Sequence, residues 1–362
     1  MTETTDVVPV AHAEGQAAKA SPTVTAFRFG DPESVIDSRE LSQYFEMWHN
    51  GRWYEPPLPM GKLAQTFNMS PYHRSAIALK VNILVAQQTP SRWLGSDAFE
   101  RFALDFLQMG NGYLEHVPNM AGGLARADHA PALHTRPGIE AGKYWFVNGP
   151  MGDIHEFPIG RIFHLQQPDV AQEIFGMPEW LSALQSGLLN ENATLFRRKY
   201  YLNGAHAGFV FYLSEPLADT QMADAITDQL KSAKGRGNFR NLFMHIPGGK
   251  KDGVQIVPLS DVTAKDEFTN IKTMSRDDML AAHRTPPQLI GIVPTNSSGF
   301  GKVSEARDAY YETEIVPIAR RMLRMNDWFG VQVLAFADYL LSDGQIIRQV
   351  GNGFQKLPAG TR

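Results

Sequence analysis

The chain has 362 residues, 43% of them hydrophobic and 20% charged, with a formal net charge of -4 and no cysteine. At roughly 150 residues per domain this length holds about two domains, and the composition excludes a disordered chain, disulfides, thiolate zinc sites and cysteine nucleophiles. The slightly acidic balance argues against a basic nucleic-acid grip but not against nucleic acid passing through a neutral or acidic channel.

Residues 1–25 are rich in Ala, Thr, Glu and Pro, with no large apolar residue beyond scattered valines. They cannot repay their ordering entropy, so a flexible tail is expected, with order beginning at Phe27. The first residues carry acids and no basic n-region, so no signal peptide is predicted. No apolar run approaches the roughly 18 residues of a membrane helix. Ser38 can cap a helix carrying Leu41, Tyr44, Phe45 and Trp48, which Asn50-Gly51 stops. Trp53 to Pro57 reads as extended, because each proline restricts the residue before it. Ser70-Pro71 opens a helix through Ile77, Val81 and Leu84 to Gln88. Another starts at Ser96, puts Phe99, Phe102, Ala103 and Phe106 on one face, and ends at Gly110-Asn111-Gly112. Strands are predicted at 113–117, 124–128, 143–148 and 161–166, giving an α+β region rather than βαβ alternation.

From Trp180 a 3–4 rhythm of Leu181, Leu184, Leu188, Leu195 and Leu202 predicts a long helix closed by Asn203-Gly204. Strands at 208–213 and 241–246 bracket a helix at 218–233, and Val254 to Val257 is a further strand. A second long helix is predicted from Ser260 or Asp261 to Arg284, ended by Thr285-Pro286-Pro287. It is polar enough that burial inside one monomer is not expected. Residues 291–303 form a loop rich in Gly, Ser and Asn. Tyr311, Ile315, Ile318, Met322, Met325 and Phe329 then mark one helix over 304–329, which Pro317 should kink. A strand at Val331 to Phe336 precedes a polar tail.

No catalytic constellation emerges. Pro247-Gly248-Gly249-Lys250-Lys251 lacks the Ser/Thr and the following helix of a phosphate loop. The eleven histidines show no metal-ligand spacing, Asp277 and Asp278 are adjacent and cannot flank one substrate, and no GxSxG elbow is present. Neither a metal nor a cofactor is implied. One charge feature stands out: Lys231, Lys234, Arg236, Arg240, Lys250 and Lys251 follow one another without an acid between them. Such segregation suits a solvated face, or contact with phosphate or an acidic partner.

Several stretches, in order, resemble phage portal proteins of the PBSX type. They are Phe29 to Glu33, Trp48 to Pro57, Gly110 to Glu115, Phe175 to Leu184, Asn190 to Gly208, Gly237 to Phe243, Lys265 to Phe268, and Ser275 to Leu289. The resemblance implies an α+β portal fold: an α/β wing, long stem helices, a small α/β clip, and a tunnel loop with its helix. On this chain it implies a tail at 1–26, a wing at 27–180, stem helices at 181–204 and 259–285, and a clip at 205–258. The tunnel loop would be 286–303, the wing helix and strand 304–340, and a short C-terminal tail or reduced crown 341–362. It further implies a non-enzymatic subunit of a dodecameric ring at one capsid vertex of the virion, assembled in the host bacterial cytoplasm and not in a membrane. The expected partners are double-stranded DNA in the channel, terminase, and capsid, scaffold and head-completion proteins. Asn296, Ser297, Ser298 and Lys302 become the DNA-facing loop residues. Arg236, Arg240, Lys250 and Lys251 become the clip contacts to a partner or phosphate. Two rival readings remain: another head–tail adaptor, and a metal-dependent nucleic-acid hydrolase, for which the spacing offers no carboxylate cluster.

Overall fold

In the computed structural model, residues 48–149, 152–202, 209–213, 254–258, 264–293, 302–358 and 360 are described. The expected N-terminal tail, the helices at 38–50 (up to residue 47) and 218–233, and the strand at 241–246 lie outside them.

Helix α1, Met60–Thr66, follows Pro59 and buries Met60, Leu63 and Thr66. Seven residues between prolines give too little periodicity to announce it. Helix α2 runs Pro71–Gln87, with the Ser70 hydroxyl accepting a hydrogen bond from the Tyr72 amide at 3.3 Å and proline at the first helical position. Strand β1, Gln88–Thr89, follows it directly. Helix α3, Ser96–Met109, buries Phe99, Phe102 and Phe106, each worth about 1.5–3 kcal/mol of burial. Gly110 closes it in the left-handed conformation at φ 73°.

Strand β2, Asn111–Pro118, then runs between β3, Leu124–Ala130, and β7, Ile162–Gln166, antiparallel to both. Its side chains alternate between two cores, so both faces are buried. Leu114 joins the three phenylalanines of α3, and Tyr113 joins Ile77, Val81 and Trp180. A second antiparallel sheet is built from β4, Thr135–Pro137, β5, Tyr144–Val147, and β6, Ile154–Glu156. The outer two have three residues each and show no alternation in the sequence.

The first long helix begins as a 3-10 turn, Glu179–Ala183, and becomes α-helical as α4 over Leu184–Leu202. Strands β8, Phe209–Leu213, and β9, Val254–Pro258, form an antiparallel ladder. Helix α5, Ala264–Ala282, packs antiparallel to α4: Ser186 bonds Asp278, Asn190 bonds Ser275 and Lys272 bonds Thr194. The expectation that this polar helix stays out of a monomer core is corrected at its C-terminal end, where Ser275, Met279, Leu280 and the following His283 are buried. Few apolar residues suffice there, because the polar ones are hydrogen-bonded.

The helix expected over 304–329 is segmented into α6, Val303–Tyr310, a π-helical turn, Tyr311–Ile315, α7, Val316–Met322, and α8, Arg324–Phe329. The break falls just before Pro317, which has no N–H to return to the preceding turn. Of the strand expected at 331–336, only β10, Ala335–Phe336, pairs, with β1. Asn326 satisfies both backbone groups of Leu334 instead. The expected polar tail proves to be an antiparallel meander of β11, Tyr339–Leu340, β12, Ile346–Val350, and β13, Gly353–Leu357. It docks Ile347 into the α3 core.

Candidate functional site

The predicted site residues are unevenly placed. Asn296, Ser297 and Ser298, and Arg236, Arg240, Lys250 and Lys251, lie outside the described residues. Lys302 precedes α6 and is exposed; its ammonium sits 2.6 Å from Glu305, whose hydrogen bond and charge raise its pKa.

A different cluster, which sequence reasoning missed, lies where both long helices meet the body. Lys80 of α2 places its ammonium 2.5 Å from Glu314 in the π-helical turn, and both side chains are about 95% buried (4% and 5% exposed). Burial pulls the Lys80 pKa down, and the Glu314 charge and hydrogen bond oppose it. Arg284, just beyond α5, reaches the same Glu314 at 3.2 Å and Glu179, in the turn before α4, at 2.6 Å. Burial alone would raise the Glu179 carboxyl; the Arg284 hydrogen bond and charge, with Arg321 and Lys80, hold it below its usual value instead. Gln167 donates to Glu179 at 2.7 Å and accepts from Arg321 of α7. Five separate segments of the chain are tied by this network.

The sequence did carry a signal for it. Lys80 occupies the apolar face of α2 with Ile77, Val81 and Leu84, and Glu314 lies between Tyr311, Ile315 and Ile318. A charge at each of two core-facing positions implies a buried pair, but the sequence cannot say which carboxylate meets which amine.

The backbone at Arg284 is unusual. Its amide bonds the Ala281 carbonyl at 2.9 Å, and the Thr285 amide bonds the Leu280 carbonyl at 2.9 Å. That is the Schellman closure of a helix, with Arg284 at the left-handed position, φ 51°. Glycine fills that position after α3 and α8. Among the described residues Arg284 is the one non-glycine with positive φ, a conformation that costs an L-residue roughly 1–2 kcal/mol.

Beside this network lies a buried histidine pair. Gln108 donates to the Leu63 carbonyl at 2.7 Å and to Thr66, so its oxygen faces His73 Nε2 at 3.0 Å. His73 therefore carries its proton on Nε2, and its Nδ1 accepts from His283 Nε2 at 2.9 Å. Burial lowers His73 to about 4, partly offset by Gln108, and burial, His73 and Lys80 push His283 well below its ordinary value. A cavity of about 20 Å³, room for one water, is lined by Lys80, Gln167, Glu179, Trp180, His283 and Arg321. Among the described residues no group of three His, Asp or Glu side chains could hold a metal, and no helix is long and apolar enough to cross a membrane. The arrangement is a set of charges paired across segments distant in sequence.

The family model described as "Phage portal protein" matches residues 74–337, which takes in every member of the cluster except His73. A "Probable portal protein" of Escherichia phage P2 is 42% identical over 322 residues, covering 89% of this chain and 93% of its own. Its counterpart in Haemophilus phage HP1 is 33% identical over 273 residues, covering 74% of this chain and 79% of its own. Among solved structures, a chain in the neck of a native gene transfer agent particle computed with C12 symmetry superposes with a TM-score of 0.57 at 19% identity. It covers 79% of this chain and 85% of that one. An HK97-family phage portal protein from Corynebacterium diphtheriae gives 0.56 at 13%, over 75% of this chain and 93% of that one. With a family model over most of its length and a relative 42% identical over 89% of it, this chain belongs to the phage portal protein family.

Proposed function

We propose that the chain is one subunit of a dodecameric ring at a single capsid vertex of a phage virion. The ring would pass double-stranded DNA inward during packaging and outward during ejection. It would also dock terminase, scaffold and head-completion proteins, after assembly in the host bacterial cytoplasm. The observation that carries this reading is the 42% identity over 89% of the chain to a phage portal protein. The C12 symmetry of the neck in the structural neighbour supports the copy number. The portal family is structural rather than enzymatic, in keeping with a junction of paired charges.

The physical character of the long helices supports ring formation. Leu189 and Leu195 of α4 and Met274 of α5 stay 48%, 45% and 68% exposed. Apolar side chains on an antiparallel helix pair gain from contact with neighbouring copies. In this reading 27–180 is the wing, 181–204 and 259–285 the stem, 205–258 the clip, and 286–303 the tunnel loop with Asn296, Ser297, Ser298 and Lys302 toward DNA. The wing helix and strand are 304–340, and 341–362 stands where a crown would be.

Light scattering of the purified full chain, with negative-stain images of the same peak, tests the proposal. A ring of about a dozen copies with a central hole is expected. A compact monomer with nuclease or ATPase activity would overturn it.

A further inference from the structure

We infer that Arg284 is a positioning residue, which fixes the helix segment 303–322 relative to the near ends of both long helices. The packaging arm of its test rests on the portal reading; the exchange arm does not.

Three observations meet at this side chain. First, its backbone holds the left-handed position of a Schellman closure, where glycine is the unstrained choice. An arginine there keeps a backbone cost that glycine would remove, so its side chain has a use. Second, that use is not the neutralisation of Glu314. Lys80 already sits 2.5 Å from that carboxylate, buried with it. Third, one guanidinium nitrogen, Nη1, touches both Glu179 at 2.6 Å and Glu314 at 3.2 Å. Glu179 opens the turn that becomes α4, Arg284 closes α5, and Glu314 lies in the π-helical turn between α6 and α7. The side chain is thus a strut between three segments that are distant in sequence. A π-helical turn replaces the i→i+4 bonding of the α-helix on either side with a wider ring, so it interrupts the regular ladder of the 303–322 segment. Arg284 grips that turn and holds it against both long helices. With the strut removed, the segment keeps its Lys80 anchor to α2, the Arg321–Glu179 pair at 3.6 Å and the Tyr310–Thr285 hydrogen bond at 3.3 Å, but the π-helical turn itself loses its tie to α4 and α5.

The test compares the full chain with Arg284→Gly, Arg284→Lys and Glu179→Gln. Arg284→Gly removes the strut and relieves the backbone together, so its melting temperature and oligomeric state should match the parent. Amide hydrogen exchange over 303–315 should nevertheless rise about 10-fold or more, because the exchange of one segment reports its local opening. Particle yield in a packaging assay should fall by about the same factor. Arg284→Lys retains a charge but not the rigid fork, and should fall between parent and glycine variant. A residue that only stabilised the fold would move melting and exchange together. Parent-like exchange and packaging in Arg284→Gly would overturn the inference. If Arg284→Gly does not fold, Glu179→Gln decides. It leaves the Arg284 backbone and Glu314 in place, and Arg321→Ala controls for the Glu179 contacts to Gln167 and Arg321 that do not involve Arg284. Exchange about 3-fold faster than in Arg321→Ala supports the strut, and exchange no faster than in that control overturns it. A parent chain that neither forms rings nor packages DNA sinks the portal reading, and the exchange arm still judges Arg284.

Discussion

Glu314 shows how much can hang on one buried carboxylate. It is the acid within ion-pair distance of Lys80, whose side chain is 4% exposed. Removing one partner of such a pair leaves a buried charge without its hydrogen-bonded counterion, at a cost of about 3–5 kcal/mol. Glu314→Gln should therefore lower the unfolding free energy by about 3 kcal/mol in urea titration. Arg101→Ala should change it by less than about 0.5 kcal/mol, because its pair with Asp97 is 64% and 84% exposed. The histidine pair sets a pH dependence. His73 titrates at about 4 in the folded chain against 6.5 for a free histidine. Between those values the unfolded chain binds more protons, so stability is complete above about pH 6.5 and declines as pH falls toward 4. Thermal midpoints should drop between pH 7.5 and 5, and His73→Gln should flatten that slope. The pairing of Lys80 with Glu314 and of His73 with His283 was not legible beforehand. A sequence shows that Lys80 and Glu314 each occupy a core-facing position, but pairs 234 residues apart are chosen by the fold.

At the scale of elements, local chemistry was readable and tertiary substitutes for it were not. Ser70-Pro71 and Gly110 set helix boundaries through capping, which depends on a few neighbouring residues. The π-helical turn was visible only as a kink at Pro317, because periodicity averages over a single wide turn. The short strands β4 and β6 and the C-terminal meander escaped because their partners, not their own alternation, make them strands. Gly110 gives the sharpest test of an element boundary. It needs positive φ, and a Cβ there would come within 2.6 Å of the Met177 backbone and 2.7 Å of Pro178. Backbone cannot step aside as a side-chain tip can. Gly110→Ala should thus cost about 2 kcal/mol or more, measurable as a reduced denaturation midpoint at unchanged slope.

For the whole molecule, the proposed ring makes a prediction about residues 205–258. If their basic residues meet terminase, head-completion proteins or DNA, reversing Lys250 and Lys251 together to glutamate should leave ring mass unchanged. The same variant should reduce packaged particles by about 10-fold or more, since each reversed charge opposes an acidic or phosphate partner. Normal packaging by intact rings of that variant would remove the clip assignment. The α+β class, the positions of both long helices and family membership followed from the sequence by itself, since capping, 3–4 periodicity and an ordered set of motifs are local and survive without coordinates. Only the tertiary structure decided that α4 and α5 run antiparallel through Asn190 and Ser275, that β2 feeds two cores, and that Arg284, Glu179, Glu314 and Lys80 form one joint. The physical reason is that buried charges and polar groups must find partners. Which partners they find is settled by how distant segments pack, not by the residues beside them in the chain.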